Sequence, residues 1–293
     1  MSLSGVMSSP SQKRSFLLAS ILIIVISCIL VWVLYYFTSD TRGWNLLINF
    51  LVAIVAAGIF ALTAALYIAY FFVDPFEVAS AIKLLPQDIA QALTGMAENA
   101  ADYKLFVRTG RHFRAEILPL LIKNAKKSRR QIRIEAVLLD FRDDNICQRY
   151  ATYRENSSFD SKLWTKEYVQ KEVLATILKL VDAATNHSSL IRVDLYLSTR
   201  LSTFRIDGSS DEVVVTREDP KDKASRYRRA DSDYSAFMNE FNWARDAAFK
   251  VKEGTGGASL PATLEEMFDN SPLVAKFADE AAKATFEPSP YAR

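Results

Sequence analysis

The chain has 293 residues, 36 basic and 34 acidic side chains, two histidines and two cysteines, with a formal charge of +2 at neutral pH. Its first 73 residues hold only four charges, Lys13, Arg14, Asp40 and Arg42, so the other 220 balance 33 basic against 33 acidic groups. That balance excludes a domain-wide field drawing the protein to nucleic acid or anionic lipid; any such binding has to come from a local patch.

Two uncharged apolar runs come first: residues 16–37, 22 long, and 46–73, 28 long. A bilayer core about 30 Å thick takes roughly 20 helical residues, so both runs are predicted to span it, the second with some tilt. A secretory signal would have an apolar core of roughly 7–15 residues and a small-residue cleavage site. The first run is longer and closes instead on Trp32, Tyr35, Tyr36 and Phe37, an interfacial aromatic belt. A soluble core helix would show a polar face, and the first run has none. The expected architecture is a tail (1–15), a two-helix transmembrane hairpin (16–73) and one polar domain behind it. Lys13, Arg14 and the basic residues from Lys83 onward outweigh Arg42 in the link, which places both termini of a two-span membrane protein in the cytoplasm. Cys28 lies mid-span and Cys147 is the one cysteine of the polar part, so no disulfide forms within that domain.

Behind the hairpin, residues 74–103 read as a helical connector, broken near Pro86, which opens a second helix. Residues 104–250 read as an α/β domain with a mixed sheet. In order, they comprise an amphipathic helix over 113–130, a strand over 132–139, a helix carrying Cys147, Tyr150 and Tyr153, and a long helix over 161–186. Strands follow over 190–197, 203–207 and 212–216, and then a helix over 234–252. Residues 251–293 form a C-terminal helical extension around Pro272.

Chemistry is scarce along this domain. His112 and His187 both read as loop residues, without the Cys, His or paired carboxylates that a metal or catalytic site needs. No Walker loop, nucleophile elbow or strand-linked dinucleotide fingerprint is present, and the cluster 254–257 reads as a linker. No cofactor or metal is expected. Asp140, Asp143 and Asp144 follow the 132–139 strand; a Mg²⁺ site is one reading, and a cap on the next helix is the favoured one. The cationic turn 126–130 suits a helix C-terminus. Arg226, Arg228 and Arg229, in a polar loop over 218–232, either contact phosphate or nucleic acid or pair with Asp231 and Asp233.

The second run carries a pattern of its own. Asn45, Asn49, Ala53, Ala57, Ala61, Ala65 and Ala69 recur at every fourth position. Small residues four apart let helices approach closely in lipid, and Asn hydrogen-bonds across helices. The row packs the second span on the first, or builds an assembly of several chains, or both.

Residues 107–114, 117–121 and 132–140 resemble the opening of phospholipase D-like domains, and the order of elements to about residue 250 follows that family. The resemblance implies an α/β fold of that kind. The family's His-x-Lys signature, followed four residues later by Asp, is absent near 203–207, so the resemblance implies a degenerate copy without catalytic residues. In architecture the chain also resembles two-transmembrane effectors of bacterial phage-defence systems of the retron type, which a reverse transcriptase and its DNA hold silent. That likeness implies a non-enzymatic, toxic effector of antiviral, abortive-infection defence. Its partners would be the lipid bilayer, further copies of itself and an inhibitory protein or protein–nucleic acid complex. The competing expectations are a membrane-tethered phospholipase D-like hydrolase and a non-toxic membrane-anchored binding module.

Overall fold

Two units divide the chain between Lys83 and Leu84. The computed structural model describes residues 10–37, 42–71, 82–157, 164–217 and 222–287.

The first unit consists of α1 (Pro10–Phe37) and α2 (Arg42–Phe71). Both contain windows long and apolar enough to cross a membrane: Leu18–Phe37, mean hydropathy 2.8, and Gly43–Ala64, mean hydropathy 2.5. Only 6% and 0% of those windows are buried, unlike the core helix of a soluble fold. The helices reach beyond the expected spans because the backbone ladder continues through Lys13 and Arg14 and begins again at Arg42; residues 38–41 of the link and 72–73 of the second run lie outside the described residues. Ser20, Ile24, Ser27, Val31 and Leu34 of α1 are covered, as are Ile48, Leu51, Val55, Gly58 and Leu62 of α2. Both sets alternate steps of three and four, the 3.5-residue repeat of helices wound against each other. A Cβ placed on Gly58 would meet Ile24 Cγ1 at 3.3 Å, so glycine at this position sets how closely the helices lie.

The second unit is a mixed α/β domain whose sheet has the strand order β1-β7-β6-β5-β2-β3-β4-β8. Its elements run β1 (Ile82–Leu84), α3 (Pro86–Asn99), β2 (Asp102–Phe106), a π turn (Phe113–Ile117) leading into α4 (Leu118–Ser128), β3 (Ile132–Leu139), α5 (Asp144–Ser157), α6 (Lys166–Asn186) and β4 (Ile191–Ser198). They continue with β5 (Phe204–Gly208), β6 (Glu212–Arg217), β7 (Ala224–Arg228), α7 (Ser232–Asp246), β8 (Phe249–Lys250), α8 (Leu264–Met267) and α9 (Pro272–Ala284). β2, β3 and β4 are parallel, and β5, β6, β7 and β8 pair antiparallel to their neighbours. Parallel strands that advance in one direction through right-handed crossovers place α4 and α6 on the same face of the sheet. α9 packs on α6. The opposite face takes α7, where Arg245 reaches Glu135 of β3 at 2.9 Å. β3 is buried at every position but Arg133, as expected of a strand covered on both faces.

Beneath α9 lies the largest fully buried side chain, Arg114. Its Nη2 donates to Glu172 Oε2 at 2.7 Å and to the Ala284 carbonyl at 3.0 Å, and Nη1 reaches Thr176 Oγ1 at 3.2 Å. One cation thus joins the start of α4, the middle of α6 and the last turn of α9.

Several sequence expectations change here. Residues 82–84 and 102–103, expected within a helical connector, belong to the sheet, and β2 is one of its central strands. The long helix starts at Lys166, not 161, with residues 158–163 outside the described set. The helix over 234–252 ends at Asp246, because Phe249 and Lys250 pair with Leu197 and Tyr196 of β4. The polar loop over 218–232 contains β7, whose Glu212↔Arg228 to Val215↔Ser225 register extends the sheet edge.

Candidate functional site

In α2 the stripe facing α1 and the row of small residues are different surfaces. Asn49, Ala53, Ala57 and Ala61 are all exposed, while Ile48, Leu51, Val55, Gly58 and Leu62 meet α1. At 100° per residue the centres of the two stripes lie roughly 160° apart around the helix. Packing of one helix on the other within the chain does not use the row. Ala65 belongs to α2, and its side chain lies outside the described residues. A shallow apolar groove of about 310 Å³, lined by Cys28, Val31, Trp32, Tyr35, Val52 and Val55, runs along one flank of the seam.

The three carboxylates after β3 are each engaged. Asp140 takes Arg142 in a fork, Nε to Oδ1 at 2.9 Å and Nη2 to Oδ2 at 2.8 Å. Arg142 lies 4.3 Å from the Phe249 ring centre. Asp143 Oδ1 accepts the backbone N–H groups of Asn145 and Ile146 at 2.9 and 3.1 Å, the cap geometry expected from the sequence. Asp144 accepts Lys166 Nζ at 2.8 Å and Gln170 Nε2 at 2.9 Å, and the lysine bond holds its carboxyl below the usual range. Among the described residues no group of three His, Cys, Asp or Glu side chains is placed to hold a metal ion. Cys147 is buried on α5, and burial pushes its thiol up to about 12, so no reactive thiolate forms there.

His112 is not the loop residue expected, but part of the helical segment just before the π turn. It is 5% exposed, and burial first, then the charge of Arg205, lowers its pKa to about 4. It is therefore neutral at physiological pH. His187 closes α6, its backbone N–H bonded to the Ala183 carbonyl. Arg205 also faces Asp207, which accepts the Tyr103 hydroxyl at 2.8 Å. Burial raises both the Asp207 carboxyl and the Tyr103 phenol, the carboxyl against the opposing charge of Arg205. Tyr103, His112, Arg205 and Asp207 come from β2, the turn after it and β5, and sequence inspection missed the grouping because up to 104 residues separate its members. The register Leu105↔Asp207 brings them together. At 3% exposure Asp207 is a buried carboxyl whose Oδ1 takes the Tyr103 hydroxyl and whose Oδ2 has no hydrogen-bond partner among the described residues.

The arginine cluster divides. Arg226 is bonded to Glu212 Oε2 through Nε at 2.6 Å, and the backbone N–H of Arg228 is held by Asp231 at 2.6 Å. Arg228 and Arg229 remain exposed at the end of β7.

No known protein family, curated protein or solved structure matches the chain.

Proposed function

We propose that this protein is a non-enzymatic effector of the bacterial inner membrane, with α1 and α2 crossing the bilayer, both termini in the cytoplasm, and a degenerate phospholipase D-like domain restraining them. On release of that restraint, hairpins associate through the Asn49–Ala53–Ala57–Ala61 face and breach the membrane. The observation that carries this reading is that α2 pairs with α1 through one stripe and offers a second, small-residue stripe outward. In lipid, an outward face of that composition is what lets another helix approach closely, and Asn49 gains a hydrogen-bonding partner there. The near-complete exposure of both apolar windows supports the membrane location: Trp32, Tyr35, Phe37 and Phe60 are 64%, 78%, 75% and 76% exposed. In water such a surface is an association liability; in a bilayer it is a solvated one. Assignment to antiviral, abortive-infection defence, with a retron-type reverse transcriptase and its DNA as the restraining partner, rests on the resemblance in architecture.

The test is expression of the full chain with and without paired Ala57→Leu and Ala61→Leu. Leucine is the more apolar residue, so insertion is maintained while close approach is lost. The parent should collapse the membrane potential, arrest growth and give cross-linked oligomers; the variant should do none of these at equal protein level. Undiminished toxicity with the same oligomers overturns the mechanism. Lipid hydrolysis accompanying toxicity assigns the chain to the hydrolases, and an intact potential in the parent assigns it to the anchored binding modules.

A further inference from the structure

We infer that the N-terminal edge of the three parallel strands is a docking surface for anionic lipid headgroups. The inference rests on the membrane-spanning reading above. Six cations meet at this edge from three segments: Lys126 and Lys127 in the last turn of α4, Arg129 and Arg130 in the turn after it, and Arg133 and Arg192 near the starts of β3 and β4. All six are exposed. Arg133 and Arg192 are register partners on neighbouring parallel strands, about 5 Å apart along the hydrogen-bonding direction. Two like charges at that spacing repel, yet only Arg133 has an acid within reach, Asp194 at 2.6 Å. Among the described residues none of the other five forms an ion pair.

The helix dipole accounts for cations at the end of α4, since they offset its carbonyl charge, but it does not extend to Arg192 on a strand. Asp194 offsets Arg133, and Asp102, its register partner on β2, is taken by Lys104, so five cations without an ion pair remain as the local patch that the balanced charge of the domain otherwise lacks. The cation–ring contacts among the described residues all fall on other cations, so none of these six is paired with a ring as in an arginine–aromatic base clamp. Phosphate on a bilayer asks for charge alone. The domain is also leashed: residues 72–81 join α2 to β1 and cannot extend beyond about 40 Å, so anionic headgroups are present at high effective concentration.

The full chain is incorporated into nanodiscs carrying Cys28→Ala and Ser128→Cys, with a fluorophore on Cys at 128 and a headgroup-attached nitroxide quencher in the lipid. Cys147 is fully buried and stays unlabelled. Quenching is expected in discs containing phosphatidylglycerol, weak in discs of phosphatidylcholine alone, and reversed by raised salt. Each of Lys127→Gln, Arg130→Gln and Arg192→Gln should lower the ratio of docked to undocked domain about fivefold, the equivalent of about 1 kcal/mol per cation near a charged surface. Quenching that ignores lipid charge and salt, or is unchanged in the triple variant, overturns the docking surface while leaving the spanning hairpin standing. Protection of the label by a single-stranded oligonucleotide irrespective of lipid assigns the patch to nucleic acid and likewise overturns it. Failure of the parent chain to enter discs overturns both readings.

Discussion

The hairpin and the α/β domain arrange apolar surface in opposite ways. In the domain, Tyr103, Leu105, Ile134 and Leu138 are wholly buried. In the hairpin, Trp32, Tyr35 and Phe60 point outward, while the best covered side chain of α1 among the described ones is the polar Ser27. The hydrophobic effect that closes the domain in water disfavours so much apolar surface left outward on the hairpin, and the bilayer location proposed above would remove that conflict. The domain pairs charged and polar groups in its interior, Arg114 with Glu172 and Tyr103 with Asp207, whereas the hairpin leaves its small-residue face open.

The contrast breaks first at Arg114. If its pairing is what makes a buried charge tolerable, Arg114→Ala strands Glu172, 1% exposed, and should lower domain stability by about 3–5 kcal/mol. The thermal transition of the full chain in detergent should fall accordingly while the helicity of the hairpin persists. Arg114→Met with Glu172→Leu, which removes both charges, should recover most of the loss. A loss under about 1 kcal/mol for the single variant would put the buried pair outside the domain's main supports.

Acid provides a smaller perturbation of the same interior. The folded pKa of His112, about 4, lies below its ordinary value of 6.5, so folding disfavours the protonated ring. Its contribution is complete above pH 6.5 and is lost as pH falls toward 4, about 3 kcal/mol in all. Asp207 has the opposite sign: its raised carboxyl contributes most at low pH and loses that contribution as pH rises. Comparing the parent with His112→Gln isolates the histidine, and the acid loss between pH 6.5 and 4 should flatten in the variant. Equal pH profiles would show that the imidazole gains water or a counter-charge on protonation.

The hairpin side of the comparison is sharpened by Gly58→Leu. A side chain there meets Ile24 at the seam, and overpacking of that kind costs about 1–3 kcal/mol. Cross-linking between α1 and α2 within one chain should weaken, in contrast to Ala57→Leu on the outward face, and the thermal transition of the domain should not move. Equal effects of the two substitutions would mean that the two stripes of α2 are not separate surfaces.

Much of this was legible in sequence where one segment carries its own pattern. Ile132–Leu139 is a strand, apolar without a break from Ala136, found at the bounds its residues indicate, and Asp143 before Asn145 and Ile146 is a local cap. The two long apolar helices are equally plain. What stayed hidden depends on partners far along the chain. Asp102–Phe106 alternates only over five residues, and the neighbouring Ala100 and Ala101 continue a helical reading until the register with β3 fixes it. Ala224–Arg228 is too polar to read as a strand; Arg226 joins it to Glu212, and Tyr227 packs on Phe237 at 5.0 Å. The buried cluster at Asp207 and the cationic edge at Arg192 are products of strand register. The seam of the hairpin was the hardest to read, since Ile48, Leu51, Val55 and Leu62 look no different from the leucines, valines and isoleucines that face outward.

The bond from Arg114 to the Ala284 carbonyl spans 170 residues. A ribosome adds about 5–20 residues each second, so roughly 10–30 s pass between the synthesis of the arginine and that of its last acceptor. Both apolar helices have left the exit tunnel well before that interval ends. Every newly made molecule therefore passes through a stage in which the hairpin is complete and the domain behind it is still open. If the finished domain restrains the hairpin as proposed, that restraint begins late in the life of each chain, and synthesis rate would set how many unrestrained hairpins a cell holds at once.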